Sequence, residues 1–306
     1  MSGEQTQRAL WAIIAVAALA VPFVAPEFWI FIAVEMLAFA LYATSFNLLL
    51  GYGGMLSFGQ PAYFGIGAYA CAILLTKVGW PFWMAMLAAP ITGAVAAAAV
   101  GYLSVRLSGI YFAMLTFAFQ MLFYTIALKA RDLTNGDDGI TGIERPGLLA
   151  QPEWYYAFVL VVVAGCLFAL YRITISPFGQ TLRATREHRQ RVQYLGVDVR
   201  KHQWATFVIV GAFSAVAGAL FALSTRAVFP DWLYWTASAV PILMAVLGGL
   251  RKFTGPILGA IVYVALETVI SGYTTYWPLF MGGVIVALVL LLPDGLLGWR
   301  AARART

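Results

Sequence analysis

Charge is scarce in this 306-residue sequence: Asp, Glu, Lys and Arg make up 10% of it against 62% hydrophobic residues, and the mean hydropathy is +0.85. Soluble globular domains carry about 25% charged residues, so water is excluded as the main solvent of this chain. Cysteine is limited to Cys71 and Cys166, both inside apolar stretches. A thiol there behaves as a small hydrophobe, and neither a disulfide framework nor redox chemistry is indicated. Histidine is equally rare: His188 and His202 share one basic loop, and no apolar segment carries two acids and a histidine on one face. That leaves no catalytic constellation for a membrane hydrolase and no metal site, so the chain is read as a non-enzyme. No glycine-rich loop ends in Gly-Lys-Ser/Thr, so any ATP-driven function requires a partner that supplies the P-loop.

What is present is apolar sequence in successive runs of spanning length, punctuated by Gly, Pro or charge. The runs fall near 9–25, 28–50, 61–79, 81–105, 110–128, 154–172, 204–226, 237–250, 255–272 and 276–292. Since a span needs about 20 apolar residues, the fold class is all-α and polytopic, with about ten segments of which roughly eight to ten are full spans. Residues 1–306 read as a single transmembrane domain with loops at 173–203 and 129–153. The eighth run is short for a span, and the first resembles a signal peptide but lacks a small-residue cleavage site, so it reads as a retained span.

Placing the basic loop Arg172 to His202 in the cytoplasm and letting the segments alternate puts both termini inside. Five of the 19 Lys and Arg residues (Lys77, Lys129, Arg131, Arg145 and Arg226) then fall outside and the other 14 inside, Arg8, Arg106, Arg300, Arg303 and Arg305 among them. This is a positive-inside bias, which also explains the net charge of +6 without nucleic acid.

Two stretches interrupt the cylinders: Gly51-Tyr-Gly-Gly-Met-Leu-Ser-Phe-Gly-Gln-Pro61 and Gly248-Gly-Leu-Arg-Lys-Phe-Thr-Gly-Pro256. Shifting one onto the other aligns Gly53, Gly54, Phe58 and Pro61 with Gly248, Gly249, Phe253 and Pro256, a faint parallel repeat. Irregular backbone at membrane depth is tolerated where it is buried in protein or lines a wet cavity, so paired interruptions point to a translocation path. The alternative is that these glycines make turns or tight helix crossings. Gly65, Gly67, Gly93 and Gly101 read as packing residues. Two carboxylates, Glu35 and Glu267, lie within apolar runs, where such groups are costly and usually functional. Glu35 either orients a solute's amino group or pairs with a neighbour. Asn47, Gln60, Tyr63, Tyr111, Thr116 and Gln120 are polar groups in apolar surroundings; they either line the path or bond between helices.

In the cytoplasmic loop, Ser176-Pro177 is a good N-cap and first-turn pair, and Phe178, Leu182, Val192 and Leu195 alternate with arginines before Gly196 offers a stop. One or two short amphipathic helices are expected. They either dock on a partner or merely set topology on anionic membrane lipid. From Asp132, the acidic loop Asn135-Gly-Asp-Asp-Gly139 fails the EF-hand pattern at its fifth position, Gly136, and reads as a turn.

The segment Ser176-Pro-Phe-Gly-Gln-Thr-Leu-Arg-Ala-Thr-Arg-Glu187, followed by Leu195-Gly-Val-Asp198, resembles the cytoplasmic loop of LivM-type permeases of branched-chain amino acid ABC importers. Further matches are Asn47-Leu-Leu-Leu-Gly-Tyr-Gly-Gly-Met-Leu-Ser-Phe-Gly59, Tyr63-Phe-Gly-Ile-Gly-Ala-Tyr69, Tyr111-Phe-Ala-Met114, Thr134-Asn-Gly-Asp-Asp-Gly-Ile-Thr-Gly142 and Leu247-Gly-Gly249 with Gly255-Pro256. They run in family order from about residue 40 to 295. Departures are Arg189, Arg191 and Val192 where relatives carry an acid and small residues, Pro61 where alanine is commoner, and Asp294 where a base is usual.

The resemblance implies half of a pore in a bacterial or archaeal plasma membrane, paired with a homologous LivH-like permease. It also implies two cytoplasmic ATPases holding ATP and magnesium, and a solute-binding protein outside. It makes Arg183, Arg186, Glu187, Gly196 and Asp198 the ATPase-coupling residues, and Asp137, Asp138 and Asp231 the acids that face the binding protein. The solute is a branched-chain amino acid or a similar small molecule such as urea, an amide or an aromatic acid. The rival from another class is a secondary transporter using Glu35 or Glu267 as its ion site.

Overall fold

The computed structural model describes residues 26–291 together with 295 and 296. The expected first segment, Arg8, Arg300, Arg303, Arg305 and the turn at Asp294 lie outside the described residues. The described chain is helical: α1 Glu27–Asn47, continued by a π-helical turn Leu48–Tyr52; α2 Gln60–Thr76; α3 Phe82–Ser104; α4 Ile110–Lys129; α5 Pro152–Ile175; α6 Pro177–Tyr194; α7 Val199–Thr225; α8 Ala239–Gly248; α9 Gly255–Ser271; and α10 Trp277–Leu291. Five helical stretches (Glu27–Tyr52, α3, α4, α5 and α7) are each long and apolar enough to cross a membrane. The remaining apolar helices α2, α8, α9 and α10 are shorter, at 17, 10, 17 and 15 residues.

Helix starts follow local chemistry. Pro61, Pro152, Pro177 and Pro256 each sit in the first turn of their helices, where the missing N–H has no intrahelical acceptor to lose. Asp198 caps α7 by accepting from the Lys201 N–H at 3.1 Å. Ser176, expected as a side-chain cap of α6, instead donates its hydroxyl back to the Ile173 carbonyl at 2.7 Å. The helix gains its start from Pro177 alone.

The core is built around α7, which packs on α1, α2 and α3. Contact is backbone-close: a Cβ on Gly67 would meet the Ala215 carbonyl, and one on Gly218 the Phe64 carbonyl. Without water as an opposing solvent, such small-residue crossings hold a bundle by dispersion at short range. The glycines expected to pack do so, with Gly65 against Leu233, Gly93 against Ala215 and Gly101 against Phe207. A smaller cluster joins Met244, Leu247, Ala260, Tyr263 and Val264 of α8 and α9 to Ala40 and Ala43 of α1.

The two membrane faces separate by charge and contact. On one face Gly51, Tyr52 and α6 meet. On the other the Lys77 ammonium donates to the Asp132 carbonyl at 2.7 Å and to Asn135 Oδ1 at 2.8 Å. There, Ile140–Thr141 also pairs antiparallel with Ala227–Val228. The charge pattern of the sequence assigns the first to the inner side and the second to the outer side.

Candidate functional site

Helical backbone is interrupted between apolar helices in two places, and the two meet. The first is residues 53–59, between the π-helical turn and α2. Every backbone donor there must find an acceptor inside the protein, because lipid offers none. Gly53 and Gly54 donate back to Leu48 and Leu50, and Met55 to Leu49. The Phe58 N–H donates to Thr116 Oγ1 at 3.2 Å, the Gly59 N–H to Ser57 Oγ at 3.2 Å, and the Gly59 carbonyl accepts from Ala62.

The second is residues 226–238, which leave α7 through Arg226 in a left-handed conformation (φ 55°) and dip inward as two 3₁₀ turns, Pro230–Leu233 and Trp235–Ser238. Gln120 receives them: its Nε2 donates to the Leu233 and Tyr234 carbonyls at 3.1 and 2.9 Å. The Ser238 hydroxyl lies 2.6 Å from Gln120 Oε1 and 2.8 Å from the Phe58 carbonyl, joining the two breaks. Counting about 1.5 Å per residue along α4, Gln120 is roughly 14 Å from its outer end, near the middle of the membrane. The ten-residue α8 then covers only the inner half.

Beside this junction is a cleft of about 340 Å³ lined by Phe58, Met114, Phe117, Trp235, Ile242 and Leu243. Its wall is almost wholly apolar, which suits an aliphatic side chain. The second interruption expected from sequence, 248–256, is instead a tight turn between α8 and α9: Gly249 has φ 106°, and Gly248 leaves no room for a Cβ beside the Gly255 carbonyl. The real partner of the first break carries Pro230 and aromatics rather than glycines, so composition did not mark it.

The expected pathway residues divide. Thr116 and Gln120 are at the junction, fully buried, acting as acceptor and donor for irregular backbone. Tyr111 lies on the exposed side of α4, as does Met114. Asn47, Gln60 and Tyr63 are in the bundle interior. Ser214 donates to Gln60 Oε1 at 3.2 Å and sits 3.1 Å from Ser45 Oγ, a polar chain between α1, α2 and α7. Tyr63 stacks edge-on against Phe207 at 5.6 Å. Gln60 and Tyr63 thus bond and pack between helices, while the buried Asn47 amide has no hydrogen-bond partner among the described residues. Glu35 and Glu267 lie on the packed helices α1 and α9 and interact electrostatically.

On the cytoplasmic side α6 runs Pro177–Tyr194 with a break in helical geometry at His188, two short amphipathic helices in sequence. Leu182 and Val192 are buried. Gly196 in the left-handed region (φ 85°) ends it as expected. Arg186 reaches inward and its Nη1 donates to the Gly51 carbonyl, while the Arg183 guanidinium stands 4.3 Å over the Tyr52 ring. With Glu187 and Arg251 they line a polar cleft of about 440 Å³. Arg183 and Arg186 therefore hold the π-helical turn that leads into the first break, and Glu187 and Arg191 are exposed beside them.

Outside, the Ile140–Thr141 and Ala227–Val228 pairing ties the acidic loop to the second break. Asp137, Asp138 and Asp231 are all exposed there, and Asp137 and Asp231 both act electrostatically on Tyr124. Among the described residues no group of three or more His, Cys, Asp or Glu is placed to hold a metal ion.

A multi-pass helical bundle with two breaks between its apolar helices and a basic amphipathic helix beside one of them is the architecture of a membrane transport permease. The family described as "Branched-chain amino acid transport system / permease component" matches residues 28–292, and the chain belongs to it. It is 29% identical over 312 residues to the high-affinity branched-chain amino acid transport system permease protein LivM of Escherichia coli (strain K12), covering 92% of this chain and 73% of that protein. It is 26% identical to the probable branched-chain amino acid transport permease protein LivM of Methanocaldococcus jannaschii, covering 79% and 82%. Against LivH of E. coli K12, the identity is 25% with coverage of 85% and 91%. No solved structure matches. The family is one of transport permeases rather than enzymes, and the chain is a permease subunit of the ABC importer type.

Proposed function

We propose that this subunit pairs with a LivH-like permease in a bacterial or archaeal plasma membrane and moves a branched-chain amino acid or a similar small aliphatic solute. Two cytoplasmic ATPases, carrying ATP and magnesium, drive it, and an extracytoplasmic binding protein delivers the solute to the face bearing Asp137, Asp138 and Asp231. The observation that carries the mechanism is the Arg186 to Gly51 hydrogen bond. A pull on α6 from below is transmitted to the π-helical turn, and from there to residues 53–59 and to Ser238. The apolar cleft at Phe58 supports an aliphatic cargo. Glu187, exposed at the rim of the α6 cleft, offers its carboxylate to an ATPase, with Gly196 and Asp198 setting where α6 ends and α7 begins.

The test is co-purification from the native membrane, with mass spectrometry of what stays bound and ATPase assay with and without leucine, isoleucine and valine. Recovery of a sister permease, two ATPases and a binding protein, with ATP turnover raised by solute, is expected; Glu187→Arg should abolish uptake while insertion stays normal. The proximity of Glu35 and Glu267 favours ion coupling as the second reading. Uptake that survives ATP depletion and collapses with the proton or sodium gradient would establish that one instead.

A further inference from the structure

At the cytoplasmic ends of α3 and α7, a cleft of about 510 Å³ opens between Tyr102, Arg106, Asp198, Arg200, Lys201 and Trp204. It is separate from the α6 cleft and from the membrane-depth junction. Its chemistry is layered. The three cations converge from two elements, Arg106 following α3 and Arg200 with Lys201 in the first turn of α7. The single acid, Asp198, is already engaged: one oxygen accepts from the Lys201 N–H at 3.1 Å and the other lies 3.3 Å from its ammonium. The cleft thus keeps an excess of positive charge.

Its aromatics are held in place. Trp204 Nε1 donates to the Ala98 carbonyl at 2.9 Å, and the Arg106 guanidinium stands 4.6 Å over the Tyr102 ring. Trp and Tyr with Arg at the inner end of two spans form an interfacial belt. Outward along α3 from Tyr102, Val95, Ile91 and Leu87 are exposed at spacings of seven, four and four residues, a continuous apolar stripe along one helix face. Cations with an aromatic rim at headgroup level and an apolar track below them match one ligand: a phosphate-bearing amphiphile lying along the bundle.

We infer that the α3–α7 cleft is a binding site for an anionic phospholipid of the inner leaflet, its phosphate held by Arg106, Arg200 and Lys201 and an acyl chain lying along Val95, Ile91 and Leu87. Lipid phosphate at the inner leaflet attracts basic clusters, whereas a zwitterionic headgroup brings its own cation into the cleft and loses that attraction.

The detergent-solubilised, delipidated protein is titrated with dioleoylphosphatidylglycerol or dioleoylphosphatidylcholine, and bound lipid is counted by native mass spectrometry. Phosphatidylglycerol should be retained in preference, and the preference should fall by about fivefold for each of Arg106→Ala, Arg200→Ala and Lys201→Ala. Lys129→Ala with Arg131→Ala on the outer face should leave it unchanged. Because the three cations are exposed, their removal should not disturb folding; a matching gel-filtration profile checks this, and Arg106→Lys should restore part of the retention. Equal retention of both lipids, or retention unchanged in the triple variant, would overturn the site. Displacement of the lipid by millimolar inorganic phosphate would show a free-anion site and also overturn it.

Discussion

The two breaks in the bundle face the same physical problem and solve it with opposite materials. Residues 53–59 are glycine-rich, and Gly54 (φ 66°) adopts a backbone that other residues resist. Residues 226–238 have no glycine and are stiffened by Pro230, Trp232 and Trp235. The first follows directly on the π-helical turn that α6 contacts through Arg183 and Arg186. The second is fastened at the outer surface by strand pairing and at depth by Gln120. The comparison teaches a division of materials: a glycine-rich segment next to the turn that α6 contacts, against a proline- and aromatic-rich segment held by strand pairing and by Gln120. The Ser238 hydroxyl, with one proton for two acceptors, is the contact between them.

Gln120→Leu attacks the proline- and aromatic-rich segment and carries the largest expected effect. It removes the donor to the Leu233 and Tyr234 carbonyls and an acceptor for Ser238, at about 1–3 kcal/mol for each buried group left unpaired. The thermal midpoint in detergent should drop and the outer segment should gain hydrogen exchange, while 53–59 keeps its protection. Equal loosening of both segments would dissolve the distinction.

Arg186→Ala attacks the turn before the glycine-rich segment with a smaller cost to folding, because the side chain is largely solvated. Uptake should fall about tenfold or more with the complex still assembled and ATP still hydrolysed, since one charge-assisted hydrogen bond contributes about 1.5–3 kcal/mol. Uptake and ATP turnover that fall together would place Arg186 at the ATPase contact instead.

The smallest effect concerns pH. The Lys201 N–H that donates to Asp198 holds its carboxyl below the ordinary aspartate range. A depressed folded-state value stabilises the start of α7 above the unfolded pKa, and that contribution is lost as pH falls through the folded one. Exchange protection at residues 199–202 should therefore be flat near neutrality and decline only in acid below the usual aspartate range, and Asp198→Asn should remove that decline. A decline near neutrality would assign it to another group.

Much of the bundle was legible in the sequence because the bilayer imposes length and polarity residue by residue. Within the described residues the apolar runs from 28 onward fall on the helices within about five residues, the short eighth run becomes the half-helix α8, and α6 is the expected amphipathic element broken at His188. Thr116, Gln120, Asn47, Gln60 and Tyr63 carried the same sequence signal and are all buried, the first two beside irregular backbone and the others within the helical bundle. A polar residue in an apolar run states that it must find a partner; it does not state where that partner is.

The chain by itself determined that it spans a membrane and where helices start at proline and stop at glycine, both of which depend on local composition and spacing, and its motifs carried the resemblance to the family that the matching family model shows. Only the tertiary structure decided that the second break lies at 226–238 rather than 248–256, that Arg183 and Arg186 reach the π-helical turn leading into the first, and that Arg106 meets Arg200 and Lys201 in one cleft. Each of these joins residues far apart in the chain, and such contacts are set by how helices cross at their small residues, which no stretch of sequence encodes alone.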